Sequence, residues 1–297
     1  MPPIPLLAAD IPIFYPEVKE PYLTIFMDTV RGIESSVKLP VKGRVVNRDE
    51  TPAQLQAWAN QSKAPMAIVI GPNSLKTLQA LPADAAILSA VFLTEPGNFN
   101  KVAVAVTYSP DPALLFSIMQ RLDKRVKRVH VVINQTRWQW LLNVAESAAQ
   151  SMNMQLVIHH AQNLSESAKK YDQVLKTMDP TIDSMWLPED SSTMDTQVIL
   201  PMVLKWLWDR DLKIFSSSVA HVGRGALFGL YPQNFEMGAY VGTLTQKIMN
   251  HQPIDEPIQP LRQVNSAINI RAMQHIGLDV DQQTLKTFTV VLPKDAR

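Results

Sequence analysis

The segment Pro188-Glu189-Asp190-Ser191-Ser192-Thr193 is the most polar stretch that directly follows an apolar, strand-like run, here Ser184 to Leu187. Two adjacent carboxylates at such a point are suited to hold a ligand ammonium, and a partly buried ion pair counts for more than one in open solvent. A helix cap made by Asp190 or Ser192 is the competing role. Other polar sets occupy the same kind of position. Gly71-Pro72-Asn73-Ser74 follows the apolar run Met66 to Ile70. Its backbone N–H groups, with Asn73 and Ser74, would cradle a carboxylate or another polar group, unless one of those side chains simply caps the next helix. Asn134, Gln135 and Thr136 follow Val129 to Ile133 and bring amides and a hydroxyl; Thr136 also suits an ordinary cap. Trp138 and Trp140 come next, with indoles able either to stack on an apolar or aromatic ligand or to pack the core. Ser216, Ser217 and Ser218 end the run Leu212 to Phe215, and Tyr231 ends Ala226 to Leu230.

Catalytic constellations are thin by comparison. The six histidines make no HExxH pattern. His159 and His160 are adjacent, so on a strand their side chains point to opposite faces and make a poor metal clamp. GxGxxG and GxxxxGK[ST] are missing, Gly223-Arg224-Gly225 is too short for a phosphate loop, and no nucleophile elbow marks a serine. With no cysteine, thiolate metal sites, disulfides and cysteine nucleophiles are excluded. No catalytic residue, metal site or cofactor is assigned. A binding protein is the expectation, and an enzyme using Glu189 or Asp190 as acid or base is the weaker rival.

The elements that must position these residues alternate between strand-like and helix-like runs, the signature of a mostly parallel α/β sheet. Ile11, Ile13 and Phe14 read as a first strand. Pro21 opens a helix whose stripe Tyr22, Phe26, Val30, Ile33 and Val37 is fit to lie on a sheet. Thr51 and Pro52 look like a cap and first helical residue. Ser74 to Leu81 predicts a short helix, Ile87 to Phe92 and Val102 to Thr107 predict strands, and EPGNFN between them is turn-rich. Ser109-Pro110-Asp111-Pro112 punctuates the chain, after which the alternation restarts. It runs through a helix containing Val198, Met202 and Leu207 to Ala226–Leu230, a helix over Phe235 to Met249, and a strand Ala267 to Ile270. Crossings between two lobes are expected near Tyr108 to Pro112, near Tyr231 and within 255–266. That gives an N-terminal lobe of 1–108 plus about 232–262 and a C-terminal lobe of 109–231 plus about 263–297. Ligands of such sheets sit beyond the C-terminal strand ends, where loops and helix N-termini offer unpaired N–H groups.

The 28 basic and 27 acidic side chains deny the chain the basic field of a general nucleic-acid binder. No stretch approaches the roughly 18 apolar residues of a membrane span. The start, MPPIPLLAAD, lacks the basic and full apolar regions of an intact secretory signal. A natural cytoplasmic start and a chain trimmed of its signal are both open.

Three segments carry a family resemblance. Arg224-Gly225-Ala226-Leu227-Phe228-Gly229-Leu230-Tyr231, continuing through Phe235-Glu236-Met237-Gly238, is similar to an "RGAL…G…YYELG" segment. Lys127 to Asn134 is similar to "VKRVGVLYNP", and Ile268-Asn269-Ile270 with Ala272 and Ile276-Gly277-Leu278 to "INLKTAKALGL". These belong to the substrate-binding proteins of ABC-type importers whose characterised relatives take up aromatic amino acids. The resemblance covers residues 108–280 well and the first lobe loosely. It implies two Rossmann-like lobes of the periplasmic-binding-protein type I kind, joined by a three-strand hinge and closing on a small molecule such as an amino acid. It also implies a periplasmic or extracytoplasmic location, no enzymatic activity, and a permease, or alternatively a membrane sensor, as partner to a monomeric receptor. By the resemblance, Gly71-Pro72-Asn73-Ser74 matches the family's ligand-contacting "GTPAA" turn, Thr94-Glu95-Pro96 its "TDP", Pro188 to Thr193 its "PTDNTV", and Ser217-Ser218 its "SD". The departures cluster at the pocket. The expected ligand-binding set is Asn73, Ser74, Asn134, Gln135, Trp138, Glu189, Asp190, Ser217 and Tyr231.

Overall fold

A computed structural model of the chain describes residues 10–20, 22–47, 49–61, 66–71, 86–91 and 102–293. The expected helix at Ser74 to Leu81, the candidates Asn73 and Ser74, the EPGNFN turn and Pro21 lie outside these residues. The chain divides into two compact units, Met1–Tyr108 with Pro232–Gln263, and Ser109–Tyr231 with Val264–Arg297. Each is an α/β unit around its own sheet.

The first unit holds a six-stranded sheet in the order β11-β5-β4-β3-β1-β2. These strands are β1 (Ile11–Pro16), β2 (Val41–Val46), β3 (Met66–Ile70), β4 (Ala86–Val91), β5 (Val102–Pro110) and β11 (Ile258–Leu261). Neighbours from β2 through β5 pair in parallel. β3 is buried along its whole length, as its unbroken run of apolar residues requires. Phe14 packs edge-on against Trp58, ring centroids 5.2 Å apart, over Leu55, Ala67 and Val69. Trp58 and Leu55 come from α2 (Pro52–Gln61), which opens with a reciprocal cap: Thr51 N donates to Gln54 Oε1 at 2.9 Å and Gln54 N to Thr51 Oγ1 at 3.4 Å.

Helix α1 (Tyr22–Ser36) buries Phe26, Val30 and Ile33 of the expected stripe, while Tyr22 at its start is 62% exposed. Its principal helical partner is α8 (Asn234–Met249), which begins 198 residues after α1 ends at Ser36. The approach is close enough to demand glycine. A Cβ on Gly32 would stand 2.0 Å from the Phe235 carbonyl oxygen, and one on Gly238 2.0 Å from that of Thr29. Both obstacles are backbone.

The second unit holds a seven-stranded sheet in the order β13-β12-β10-β9-β8-β6-β7. Its strands are β6 (Arg128–Ile133), β7 (Gln155–His160), β8 (Asp183–Leu187), β9 (Lys213–Ser216), β10 (Phe228–Pro232), β12 (Val264–Asn269) and β13 (Val290–Leu292). The pairs β6/β7, β6/β8, β8/β9, β9/β10 and β12/β13 are parallel. Helices α3 (Pro112–Leu122), α4 (Gln135–Ser151), α5 (Leu164–Thr177) and α6 (Ile199–Arg210) return between strands, followed by the short α7 (Val219–Gly223), α9 (Ile270–His275) and α10 (Gln282–Leu285). Phe116, Trp186, Phe215 and Phe228 form the aromatic centre of the core, with Phe215 and Phe228 stacked at 5.0 Å.

Several boundaries differ from expectation, each for a local reason. β5 runs on past Thr107 to Pro110; Asp111 then caps α3 by accepting from Ala113 N at 2.9 Å, with Pro112 placed where no N–H is needed. Val198 is not in α6 and is 68% exposed, because the Asp195 carboxylate accepts from Gln197, Val198 and Ile199 N–H groups and starts the helix after it. β10 begins at Phe228 and extends to Pro232. β12 ends at Asn269, whose side chain accepts from Arg271 N and Ala272 N, so Ile270 opens a helix instead of closing the strand. No helix among the described residues is long and apolar enough to cross a membrane.

Candidate functional site

In the second unit the parallel strands bring Asn134, His160, Glu189, Ser217 and Tyr231 to their C-terminal ends. Asn134 caps α4, its Oδ1 accepting from Arg137 N at 3.3 Å. Its own backbone N–H donates 2.9 Å to Asp190 Oδ2, joining loops 56 residues apart in sequence. Gln135 is half-buried, and its N–H donates to His160 Nδ1 at 3.2 Å. His159, the neighbouring residue, meets His130 on the other side of the sheet, so the two histidines do face opposite ways.

The acidic pair divides sharply. Asp190 is 2% exposed, and its carboxylate accepts from Asn134 N, Ser192 N at 3.0 Å, Ser192 Oγ at 2.6 Å and Thr193 Oγ1 at 2.9 Å. Burial works to raise its pKa, but the hydrogen bonds from Ser192, Asn134 and Thr193 outweigh it and hold the carboxyl below the usual range. Thr193 and Ser167 of α5 tie the same loop into the core. Glu189 is half-buried, and among the described residues its polar neighbour is the Ser218 hydroxyl. Burial pushes its carboxyl up to about 7, and the Ser218 hydrogen bond offsets only part of that.

The three serines after β9 take separate roles. Ser217 is 3% exposed and accepts from Trp186 Nε1 at 2.9 Å. Ser216 Oγ lies 2.7 Å from His221 Nδ1, donates to Leu187 O at 3.1 Å and accepts from Ser218 N at 3.0 Å. Burial, helped by the charge of Arg224, pushes His221 down to about 4. A fully buried hydroxyl beside a neutral imidazole braces the turn. Ser218 remains half-buried next to Glu189. The Ser216–His221 and Ser218–Glu189 contacts have no mark in the sequence beyond a run of small hydroxyl residues at a strand end.

Trp138, expected either to stack on a ligand or to pack, is 3% exposed and sits within the core cluster. Its backbone is non-helical (φ −117°, ψ 18°) inside α4, which kinks the helix there. Tyr231 is half-buried near the end of β10, and burial raises its hydroxyl pKa. The half-buried members of the edge are therefore Asn134, Gln135, Glu189, Ser218 and Tyr231, above a closed layer of Asp190, Ser216 and Ser217.

The opposite end of the same sheet is built from paired charges. Arg128 grips Asp183 through Nε and Nη2 at 2.5 and 2.9 Å, and Asp179 N donates to the same carboxylate at 2.8 Å. Between the two ends, His130 lies 3.6 Å from Asp183 and stacks on His159, with 3.0 Å between ring nitrogens. Buried Lys213 pairs with Asp123 at 3.2 Å. Burial depresses both histidines, His159 to about 4 with the charges of His130 and Lys170 adding to it. Among the described residues, no group of three or more His, Asp or Glu side chains is placed to hold a metal ion.

The family described as ABC transporter substrate binding protein matches residues 117–291, more than half of the chain. Among solved structures, the ligand-free, open form of a substrate-binding protein with adhesive properties from Clostridium difficile superposes with a TM-score of 0.63 at 16% identity, covering 95% of this chain and 99% of that one. The ABC domain in complex with L-Trp from Streptococcus pneumonia gives 0.55 at 17% identity, over 95% and 100%. A conserved domain protein from Vibrio cholerae gives 0.57 at 14%, over 96% and 99%. At these identities the likeness establishes the fold: two α/β lobes of the periplasmic-binding-protein type I kind with a hinge region. No curated protein matches the chain.

Proposed function

Because the chain belongs to the ABC transporter substrate-binding protein family, we propose that it binds a small solute, such as an amino acid or related metabolite, and delivers it to a membrane permease for import. An extracytoplasmic site of action goes with this reading. The observation that carries it is the C-terminal strand edge of the second unit. Half-buried Asn134, Gln135, Glu189, Ser218 and Tyr231 stand there over hydrogen bonds already closed by Asp190, Ser216 and Ser217. Rigid polar groups over a satisfied layer are what a specific small-molecule site requires, since little must be reordered on binding. Asp190, Ser217 and Trp138 act from behind, holding the loops that present the others.

Thermal denaturation against a panel of amino acids, amines, sugars and carboxylates tests this reading. A solute held at about 100 times its Kd stabilises by roughly 2.7 kcal/mol, a readily measured rise. A selective rise that Gln135→Ala with Tyr231→Ala diminishes would support solute binding at this edge. The absence of any rise across the panel would remove the import reading.

A further inference from the structure

We infer that the solute presents a cationic group, an ammonium or guanidinium, to Glu189, and that this residue, not Asp190, sets the charge the site selects. The inference rests on the reading of this edge as a solute site and names the chemistry of what it takes.

A carboxylate offers about four acceptor positions. Those of Asp190 are met by two backbone N–H groups and two hydroxyls. Nothing remains for a ligand, and exposure of 2% leaves no approach. Glu189 is the reverse case: half-buried at the strand end, it makes no ion pair with any cation among the described residues, and its polar neighbour is the Ser218 hydroxyl. The cations on adjoining elements are engaged elsewhere or make no contact with it. Arg224, just after α7, donates to Thr196 O, and His221 of α7 is neutral against Ser216. Arg137, in the first turn of α4, has a buried Nε without a partner among the described residues and pairs with neither acid. An ionised carboxylate held this way is penalised until a counter-charge arrives. Burial is what pushes Glu189 up to about 7.

The test has a spectroscopic arm and a calorimetric arm. In carboxyl carbon NMR of the intact chain the Glu189 midpoint should fall when a binding amine is added; a midpoint that stays in place overturns the inference directly. Calorimetry at pH 8 would then use putrescine, phenethylamine and L-arginine methyl ester, each against its N-acetylated form, with glucose and glutarate as uncharged and anionic controls. An amine that binds while its acetylated form does not, with affinity reduced at least tenfold in Glu189→Gln, is the expected result. Binding of glucose, glutarate or an acetylated probe equally by the parent and Glu189→Gln overturns the cation inference and leaves solute binding intact. If no probe of any charge binds, solute binding at this edge fails, and the inference fails with it.

Discussion

The two ends of the second sheet are built from similar residues and differ in how their charges are answered. At the N-terminal strand ends Arg128 faces Asp183 and Lys213 faces Asp123, so each buried charge has a fixed partner. At the C-terminal ends Asp190 is answered by hydroxyls and N–H groups, and Glu189 by little more than Ser218. The first end is complete within the chain. The second carries a carboxyl that no cation among the described residues matches, in contrast to the paired charges of the first.

The comparison is open to breaking at several points. Replacing Asp183 by Asn leaves Arg128 and its neighbours without their anion. Arg128 keeps a partly exposed head, so the cost lies in the hydrogen bonds to the buried Asp183 carboxylate. Bonds to a charged group are worth about 1.5–3 kcal/mol, and urea unfolding should show a loss of about 3 kcal/mol; a loss below about 1 kcal/mol would mean the closed end is not closed. Acid should act next. His159 and His221 titrate near 4 in the fold and near 6.5 when unfolded. The unfolded chain therefore takes up protons first as pH falls. The stability these rings contribute is whole above 6.5 and declines between 6.5 and 4, by about 2–3 kcal/mol once solvent screening is allowed for. His159→Phe should flatten that slope in melts taken across the window. The lowered carboxyls of Asp183 and Asp190 act in a separate window, contributing above about 4 and losing their effect below it.

Asp190→Asn keeps the shape but weakens four charge-assisted contacts, and a destabilisation of about 2 kcal/mol is expected in the same urea assay. Glu189→Gln should have the smallest effect and the opposite sign. A folded pKa of about 7 lies above the unfolded 4.5, so the carboxyl favours the fold at low pH and that advantage is lost as pH rises to 7. The Gln variant should melt higher than the parent at pH 8, by about 1 kcal/mol, and alike at pH 4. A variant less stable at pH 8 would mean Glu189 has an internal cation after all.

Much of the frame was legible from residue order. Apolar runs such as Val129 to Ile133 and Ser184 to Leu187 announce buried parallel strands, and the residues after them must lie at one edge. The division between Glu189 and Asp190 was not legible. It depends on Asn134 N–H, which comes within reach only once β6 and β8 are neighbours. Trp138 is ambiguous for a similar reason: an indole after a strand end suits a ligand or a core, and only the packed structure shows it 3% exposed within the core, at a kink in α4. The stripe on α1 showed which face is buried, while its partner helix was hidden, because the marks of that contact are two glycines far apart in sequence.

That pairing of α1 with α8 also sets a timetable for synthesis. Ser36 leaves the ribosome 198 residues before Asn234, an interval of roughly 10–40 s at about 5–20 residues per second. Over that span Phe26, Val30 and Ile33 are without their helical cover, while all but the last part of the second sheet has already been made. The first unit is begun first and finished late. Nascent chains arrested near residue 230 should bind a holdase chaperone through α1 and release it once α8 has emerged, and a Gly238→Ala chain should remain bound, since the added methyl meets the Thr29 backbone.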